Sequence, residues 1–400
     1  MKLKQACEIS AEYGINVSPQ NYTDGGIPMI RTSDYGDTGA LDLTSAKCVP
    51  SNMTEGKLLK RGDLLLSRSG TIGRCLLYAS DEPATFAAYL VRFRTRRCIV
   101  SPEFVAYWTQ SSHFVKQVKA NTITSTIDNF NGRKFGDLTL PLLPIAAQAE
   151  VVRFLSARLG PIDNSISLKE DSIRKLNLLR QAAITAAICD QNPSIEWIRL
   201  KFVADVVAGQ SPPSDQVNDE GIGMPFLQGS AEFGDSTPAA NKFCATASKV
   251  CRAGDWLMSV RAPVGTMNRA DQSYGIGRGL CAIQANGVHA EYLGFALEAI
   301  RGDLVKQYKG TTYDAVSTSD INNLFVPVPS QERQDEIAGR LMEQTRSLDS
   351  LVRKVAGSID LLKEYRSALI SVAVAGQIDV TDRASLRVAE RTLEDLEIAR

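Results

Sequence analysis

Gly62-Asp63-Leu64-Leu65-Leu66-Ser67, running on to Gly73, returns later in the chain as Gly254-Asp255-Trp256-Leu257-Met258-Ser259, running on to Gly265. The offset is 192 residues. Working outward, Ile27-Pro28-Met29-Ile30-Arg31 is echoed by Met224-Pro225-Phe226-Leu227-Gln228, and Phe114-Val115-Lys116-Gln117 by Leu304-Val305-Lys306-Gln307. Leu140-Pro141-Leu142 then matches Val326-Pro327-Val328 at an offset of 186 residues. From there the register holds without a gap: Leu155 with Leu341, Asp163 with Asp349, Ile173 with Ile359, Leu176 with Leu362, Arg180 with Arg366, and Ala182 with Ala368. One matched pair would mean nothing; an ordered series at nearly constant offset specifies a duplication. The period of about 190 residues is far longer than the roughly 20–50 of stacked solenoid units, so this is a duplicated domain pair. Two similar halves in one chain can mimic a two-fold dimer and suit a target that has two half-sites.

The order within each half is globular, then helical. Residues 146–189 hold almost no breaker apart from Gly160-Pro161, and their apolar residues fall three, four and seven apart, from Val151, Val152 and Leu155 to Ile173, Leu176, Leu179 and Ala183. The second copy runs from about Gln331 to Ala375, with its stripe at Ile337, Leu341, Leu348, Leu351, Val355, Ile359, Leu362 and Leu369. Helices of this length extend roughly 65 Å, more than a small domain can cover. Two such stripes most simply cover each other as an antiparallel coiled-coil pair; the alternative lays each helix on its own globular domain. Pro141 and Pro327 close the extended piece before each helix, and Asp190-Gln191-Asn192-Pro193-Ser194 forms a turn-rich linker after the first. The globular parts, about 1–140 and 195–328, show short β-rich runs such as Asp63–Ser67 and Leu280–Gln284 and one evident helix each, Pro102–Val118 and Glu291–Tyr308. The fold class is α+β.

Composition excludes several classes. The 400 residues are 44% hydrophobic and 22% charged, with 45 basic and 45 acidic residues, so any nucleic-acid contact must come from local basic patches. No apolar run reaches the roughly 18 residues of a membrane span, and Met1–Cys7 has no secretory h-region, which points to a cytoplasmic protein with no membrane partner. The eight cysteines form no CxxC pair and are expected to be reduced thiols. His113 and His289 read as surface or cap residues, and no metal site is expected. No phosphate loop, dinucleotide fingerprint or nucleophile elbow is present. Gly275-Ile276-Gly277-Arg278-Gly279 lacks the dinucleotide spacing and reads as a flexible loop. The chain therefore looks like a binder rather than an enzyme, with no catalytic or cofactor-binding residue to name.

The junctions Leu140-Pro141-Leu142-Leu143-Pro144-Ile145-Ala146-Ala147-Gln148 and Val326-Pro327-Val328-Pro329-Ser330-Gln331-Glu332-Arg333-Gln334 resemble those of the specificity subunit of a Type I restriction–modification system. So do the helix ends Leu179-Arg180-Gln181-Ala182-Ala183-Ile184 and Tyr365-Arg366-Ser367-Ala368-Leu369-Ile370, and the Gly-Asp-x-Leu-x-Ser of each half. The resemblance covers nearly the whole chain. It departs at Ala147-Gln148, where Glu-Gln is usual, and at the N-terminus, which lacks a Trp197-like start. The resemblance implies target-recognition domains at 1–143 and 191–329 and spacer helices at 144–190 and 330–377; the residues after them, from Asp382 and Arg383 to Glu397, read by their own charge as a helical tail at 378–400 of unknown role. Each recognition domain would read one half of a split target in double-stranded DNA. The helices would set the spacing and dock two methyltransferase subunits, which restriction subunits would join. S-adenosylmethionine, ATP and Mg²⁺ would belong to those partners.

Direct readout needs Arg, Lys, Asn or Gln aimed at base edges, with further groups on phosphates. The candidates flanking the repeated motif are Ser67, Arg68, Ser69 and Arg74 in the first half and Arg261, Asn268 and Arg269 in the second. Arg31 and Gln228 hold equivalent places yet differ in type, as domains reading different bases would. Thr122 and Thr124, and Lys309, Thr312 and Tyr313, lie in matching polar loops. Arg92 and Arg94 share one strand face that could track phosphates or simply be solvated. The competing function is a coiled-coil interaction scaffold that binds no DNA; the salt slope of DNA binding separates the two.

Overall fold

The duplication appears as two units, Met1–Glu170 with Ala356–Arg400, and Asp171–Val355. The computed structural model describes residues 1–122, 130–189, 195–308 and 316–378, with backbone alone over 303–308.

In the first unit, Gly62 adopts a φ of 96°, which a side chain would resist, and turns the chain into the strand Asp63–Ser67. That strand lies inside a four-stranded antiparallel sheet ordered Cys7–Tyr13, Leu90–Thr95, Asp63–Ser67, Cys75–Leu77. Leu64, Leu65 and Leu66 are all buried, because both sheet faces are covered. Leu65 packs with Ile30, Leu76, Phe86 and Leu90 toward a smaller sheet ordered Lys47–Val49, Ile27–Ile30, Thr85–Phe86. The helix Pro102–Trp108 contacts Asp63–Ser67 and Cys75–Leu77. Beyond it Trp108, Phe114, Phe135 and Phe130 form an aromatic run, with Trp108 edge-on to Phe114 at 4.9 Å.

The second unit repeats the plan. Gly254, at φ 93°, leads into Trp256–Ser259, within a sheet ordered Met267–Arg269, Trp256–Ser259, Leu280–Ala285, Ala204–Ala208. The register is kept: Ser67 faces Leu90 in one sheet, and Ser259 faces Leu280 in the other. The smaller sheet gains two outer strands, Val217–Asn218 and Val250–Cys251. Glu196–Arg199 also pairs with Phe325–Val328, where the first unit has a single bridge between Lys2 and Thr139. This ribbon carries Trp197.

Gly275-Ile276-Gly277-Arg278-Gly279 is not the flexible loop that its composition suggests. Tyr274–Ile276 is a buried strand, and a Cβ on Gly279 would stand 2.4 Å from the Gln228 carbonyl oxygen. The glycines serve close backbone packing.

The two long helices are Ile145–Ile188 and Gln331–Val374, 44 residues each. The first continues through Pro161 while Leu159, Ile162 and Ile166 stay buried. Within the first unit, Arg366 Nε meets Asp163 Oδ1 at 2.7 Å and Lys363 Nζ meets Glu170 Oε1 at 3.4 Å, so the helices run antiparallel there. Within the second, Arg180 Nε meets Asp349 Oδ1 at 3.1 Å. These are the same two repeat positions with roles exchanged: each copy's arginine binds the other copy's aspartate. Both arginines also reach their own unit's globular part, Arg366 to Gln110 at 2.8 Å and Arg180 to Glu298. Leu179 and Leu351 depart from the expected stripe and are exposed.

The junction motif has a structural use. Gln148 Oε1 accepts from Ser101 N at 2.9 Å, and its Nε2 donates to the Ile99 and Leu143 carbonyls. Gln334 accepts from His289 N at 2.8 Å and donates to the Pro329 carbonyl. Both amides are buried and bind the start of a long helix to its domain. His289 caps a helix, accepting from Tyr292 N through Nδ1, and His113 is exposed. None of the eight cysteines, all of them among the described residues, forms a disulfide. Among the described residues no helix is long and apolar enough to cross a membrane, and no group of His, Cys, Asp and Glu could hold a metal ion. The tail at 379–400 and the linker at 190–194 lie outside the described residues.

Candidate nucleic-acid interface

In each domain the Gly-Asp-x-Leu-x-Ser strand ends in a loop held by its serine. Ser67 Oγ donates to the Thr71 carbonyl and accepts from Arg74 N at 3.1 Å; Gly73 N donates to the Ser67 carbonyl at 2.9 Å. Ser259 Oγ donates to the Pro263 carbonyl at 2.5 Å and accepts from Thr266 N at 3.1 Å; Gly265 N donates to the Ser259 carbonyl at 2.9 Å. Two more backbone bonds repeat. Arg68 N donates to Tyr89 O, and Phe130 N to Arg68 O; likewise Val260 N donates to Gly279 O, and Val316 N to Val260 O. These bonds pin the serine loop to the turn before the neighbouring strand and to the chain at Phe130 or Val316. A fourth segment, the turn after Ile27–Ile30 or Met224–Leu227, completes the cluster.

The structure sorts the candidate contacts. Ser67 is buried as the loop clamp described above and is corrected to a fold-internal group. Arg92 is corrected too: it is 3% exposed, bonded to Glu12 and to the Leu58 carbonyl, and 3.6 Å from Asp63. Arg94 makes a fork onto Asp63 at 2.6 and 2.7 Å, which raises its pKa against the opposing pull of burial. The expected basic strand face is thus neutralised inside the domain. Asn268 is 4% exposed and donates to the Gly234 carbonyl. Arg269 pairs with Glu291 at 2.9 Å and lies over the Trp256 ring. Arg74 pairs with Asp37 at 2.6 Å and donates to the carbonyls of Thr32 and Tyr35, stapling the turn after Ile27–Ile30. Arg31 folds onto Asp34 through Nε and Nη2, which raises its pKa, and also reaches the Ser45 carbonyl. Thr122 donates to the Val118 carbonyl at a helix end. Thr124, Lys309, Thr312 and Tyr313 lie outside the described residues.

Arg31 and Gln228 are not equivalent in structure. Arg31 N donates to Asp34, whereas the matching turn begins one residue later, with Gly229 N donating to Glu232. Gln228 is therefore an extra residue, and it is exposed.

Of the remaining candidates Gln228 and Arg261 are exposed, while Arg68 and Ser69 are half-buried. The Arg68 guanidinium lies over the Tyr13 ring at 5.0 Å. In the second domain Gln228 and Arg261 line a cleft of ≈ 380 Å³ with Ser211, Ser230, Ser259 and Arg278. Arg278 was missed in the sequence because the glycines around it read as a loop. A strand placed against its neighbours, with Arg278 following it, would have shown the side chain at the sheet's end.

A family model described as the Type I restriction modification DNA specificity domain matches residues 1–178 and again 194–354. The chain is 25% identical over 387 residues to the MjaX type I restriction enzyme specificity subunit of Methanocaldococcus jannaschii, covering 90% of this chain and 89% of that protein. It is 20% identical over 424 residues to the EcoBI type I restriction enzyme specificity subunit of Escherichia coli, covering 96% of this chain and 87% of that one. A solved chain described under complex assembly and conformational transition of the type I R-M system aligns at a TM-score of 0.67 and 25% identity, covering 94% of this chain and 97% of its own. With its sheets, serine-clamped loops and long helices duplicated, and the family model matched twice over most of its length, the chain belongs to the Type I restriction modification DNA specificity family.

Proposed function

We propose that this chain is the non-catalytic sequence-specificity subunit of a Type I restriction–modification complex in the cytoplasm. Each globular domain reads one half of a bipartite target in double-stranded DNA. The long helices pair along their length, set the spacing of the half-sites and dock two methyltransferase subunits, to which restriction subunits are added. S-adenosylmethionine, ATP and Mg²⁺ are held by those partners. The observation that carries this reading is the repeated loop frame: one set of clamps, at equivalent positions, in two domains that each continue into a long helix. Two copies of one reading frame with different side chains fit a target with two different half-sites. Target-recognition domains at 1–143 and 191–329 and a charged tail at 378–400 remain part of the proposal.

The test is domain exchange. Replacing residues 195–328 with the equivalent part of a relative, in cells supplying the methyltransferase subunits, changes one half of the methylated sequence and leaves the other intact. A change in both halves refutes independent reading. DNA binding that does not weaken with salt favours the scaffold instead. Methyl transfer from labelled S-adenosylmethionine by the chain alone would overturn the non-catalytic assignment.

A further inference from the structure

The two loop clusters share a backbone frame but not their charges. In the first domain Arg31 and Arg74 are consumed by Asp34 and Asp37. In the second, Gly229 and Thr266 occupy those structural positions, so neither supplies an arginine to staple the turn. Arg261 and Arg278 are exposed instead, facing the ≈ 380 Å³ cleft, and neither forms an ion pair among the described residues.

The two guanidiniums differ in what they have left to offer. Arg278 sends both its backbone N–H and its Nε to Ser211 Oγ, each at 3.3 Å, so one edge of its fork is occupied. Among the described residues nothing bonds to the Arg261 fork. It sits in a loop pinned by Ser259 and by the bond from Val316 N to Val260 O at 2.9 Å. A pinned loop loses little backbone freedom on binding. A free planar fork matches the O6 and N7 acceptors of guanine in the major groove, whereas a guanidinium with one edge taken suits a single phosphate oxygen.

We propose that Arg261 reads a guanine in the second half-site and that Arg278, anchored by Ser211, holds a neighbouring phosphate. This rests on the reading of the chain as a DNA-specificity subunit and names the residues that carry it.

The test uses the full chain in complex with its methyltransferase subunits, with methylation mapping and binding to duplexes of the mapped site. Arg261→Ala relaxes discrimination at one guanine of the second half-site, by roughly 10- to 100-fold, and leaves the first half-site unchanged. Arg261→Lys keeps the charge and loses the same discrimination. Replacing that guanine with 7-deazaguanine, which lacks the N7 acceptor, weakens the wild type but not Arg261→Ala. Arg278→Ala weakens all sequences alike and lowers the salt slope by about one. The proposal is overturned if Arg261→Ala keeps every base preference, if Arg278→Ala is the variant that relaxes a base, or if the second half-site contains no guanine. A wild-type complex that modifies no bipartite site sinks the functional reading together with this inference. A bipartite pattern indifferent to Arg261 sinks the inference alone.

Discussion

Asp63 and Asp255 hold the same place in the repeated motif, yet removing their carboxylates should cost different amounts. Both accept a backbone N–H three residues upstream, from Lys60 at 2.9 Å and from Arg252 at 2.7 Å. They differ in the partner across the sheet. Asp63 is fully buried and takes the Arg94 fork, with Arg92 Nη1 3.6 Å away. Asp255 takes the neutral amide of Gln284 at 2.9 Å. Asp63→Ala leaves Arg92 with less counter-charge in a site where its side chain is 4% exposed, although Arg94, at 18%, can turn toward water. Losing one partner of a buried ionic group costs about 3–5 kcal/mol. Asp255→Ala strands a backbone N–H and an amide, for about 1–3 kcal/mol. The difference, roughly 2 kcal/mol, corresponds to about 30-fold in an opening equilibrium.

Chains of this size need not unfold in one step, so a single melting curve is the wrong readout. Hydrogen exchange followed by mass spectrometry reports each domain by itself. Asp63→Ala should lower protection across Leu64–Leu66 and Val91–Phe93 far more than Asp255→Ala lowers it across Leu257–Met258 and Cys281–Ile283. Equal losses, or a larger loss in the second domain, would refute the charge argument and leave the motif aspartate as a turn residue in both halves.

Other outcomes follow from the same contacts. Burial works to raise the Glu12 pKa, but the hydrogen bonds from Lys57 and Arg92 outweigh it and hold it below the ordinary 4.5. A folded value lower than the unfolded one gives stability that is full above the unfolded pKa and falls as pH drops through the folded one. First-domain protection should therefore decline in acid below about pH 4.5, and Glu12→Gln should flatten that slope. Iodoacetamide at pH 8 should label exposed Cys98 quickly, while Cys7, Cys75 and Cys281, pushed up to about 12 by burial, stay unmodified until the fold opens; peptide mapping decides. Four residues inserted near Ser172 lengthen the first long helix by about 6 Å and nearly keep its phase, so methylation mapping should show the same half-sites one or two base pairs further apart. An unchanged gap in an active variant would mean that another element sets the spacing.

Much of the architecture was legible because it is written twice. The gapless offset of 186 residues through both helices fixed their extent to within a residue or two, and the ion pairs Asp163–Arg366 and Asp349–Arg180 lie on positions that the repeat already aligned. The loop holding the exposed candidates was legible too, since Gly-Asp-x-Leu-x-Ser marks a turn, a strand and a loop. What was not legible is which way a polar side chain faces. Alternation along a strand tells which residues share a face but not whether that face is covered. Arg92 sits in a strand buried on both sides, and its counter-charge, Glu12, is 80 residues away in sequence. The single extra residue at Gln228 is likewise invisible until the turn's capping bonds are counted.

The asymmetry between the halves has one physical origin. Duplication copied the groups that hold the backbone: the glycine before the strand, the aspartate that closes the turn, the serine that clamps the loop, and the glutamine at the helix start. These act on main-chain atoms, so their geometry survives changes in the side chains around them. The groups that point outward carry no such duty and have diverged. Ser69 in one domain answers to the exposed Arg261 in the other. A frame fixed by main-chain bonds, with free side chains at its rim, can change the base it reads without endangering the fold. Substitution at Arg261 should thus alter sequence preference with little loss of stability. Substitution of Ser259, two residues earlier, should loosen the loop and weaken binding to every sequence alike. Methylation mapping paired with hydrogen exchange tests that division, and a Ser259→Ala variant that changed one base preference while keeping full loop protection would contradict it.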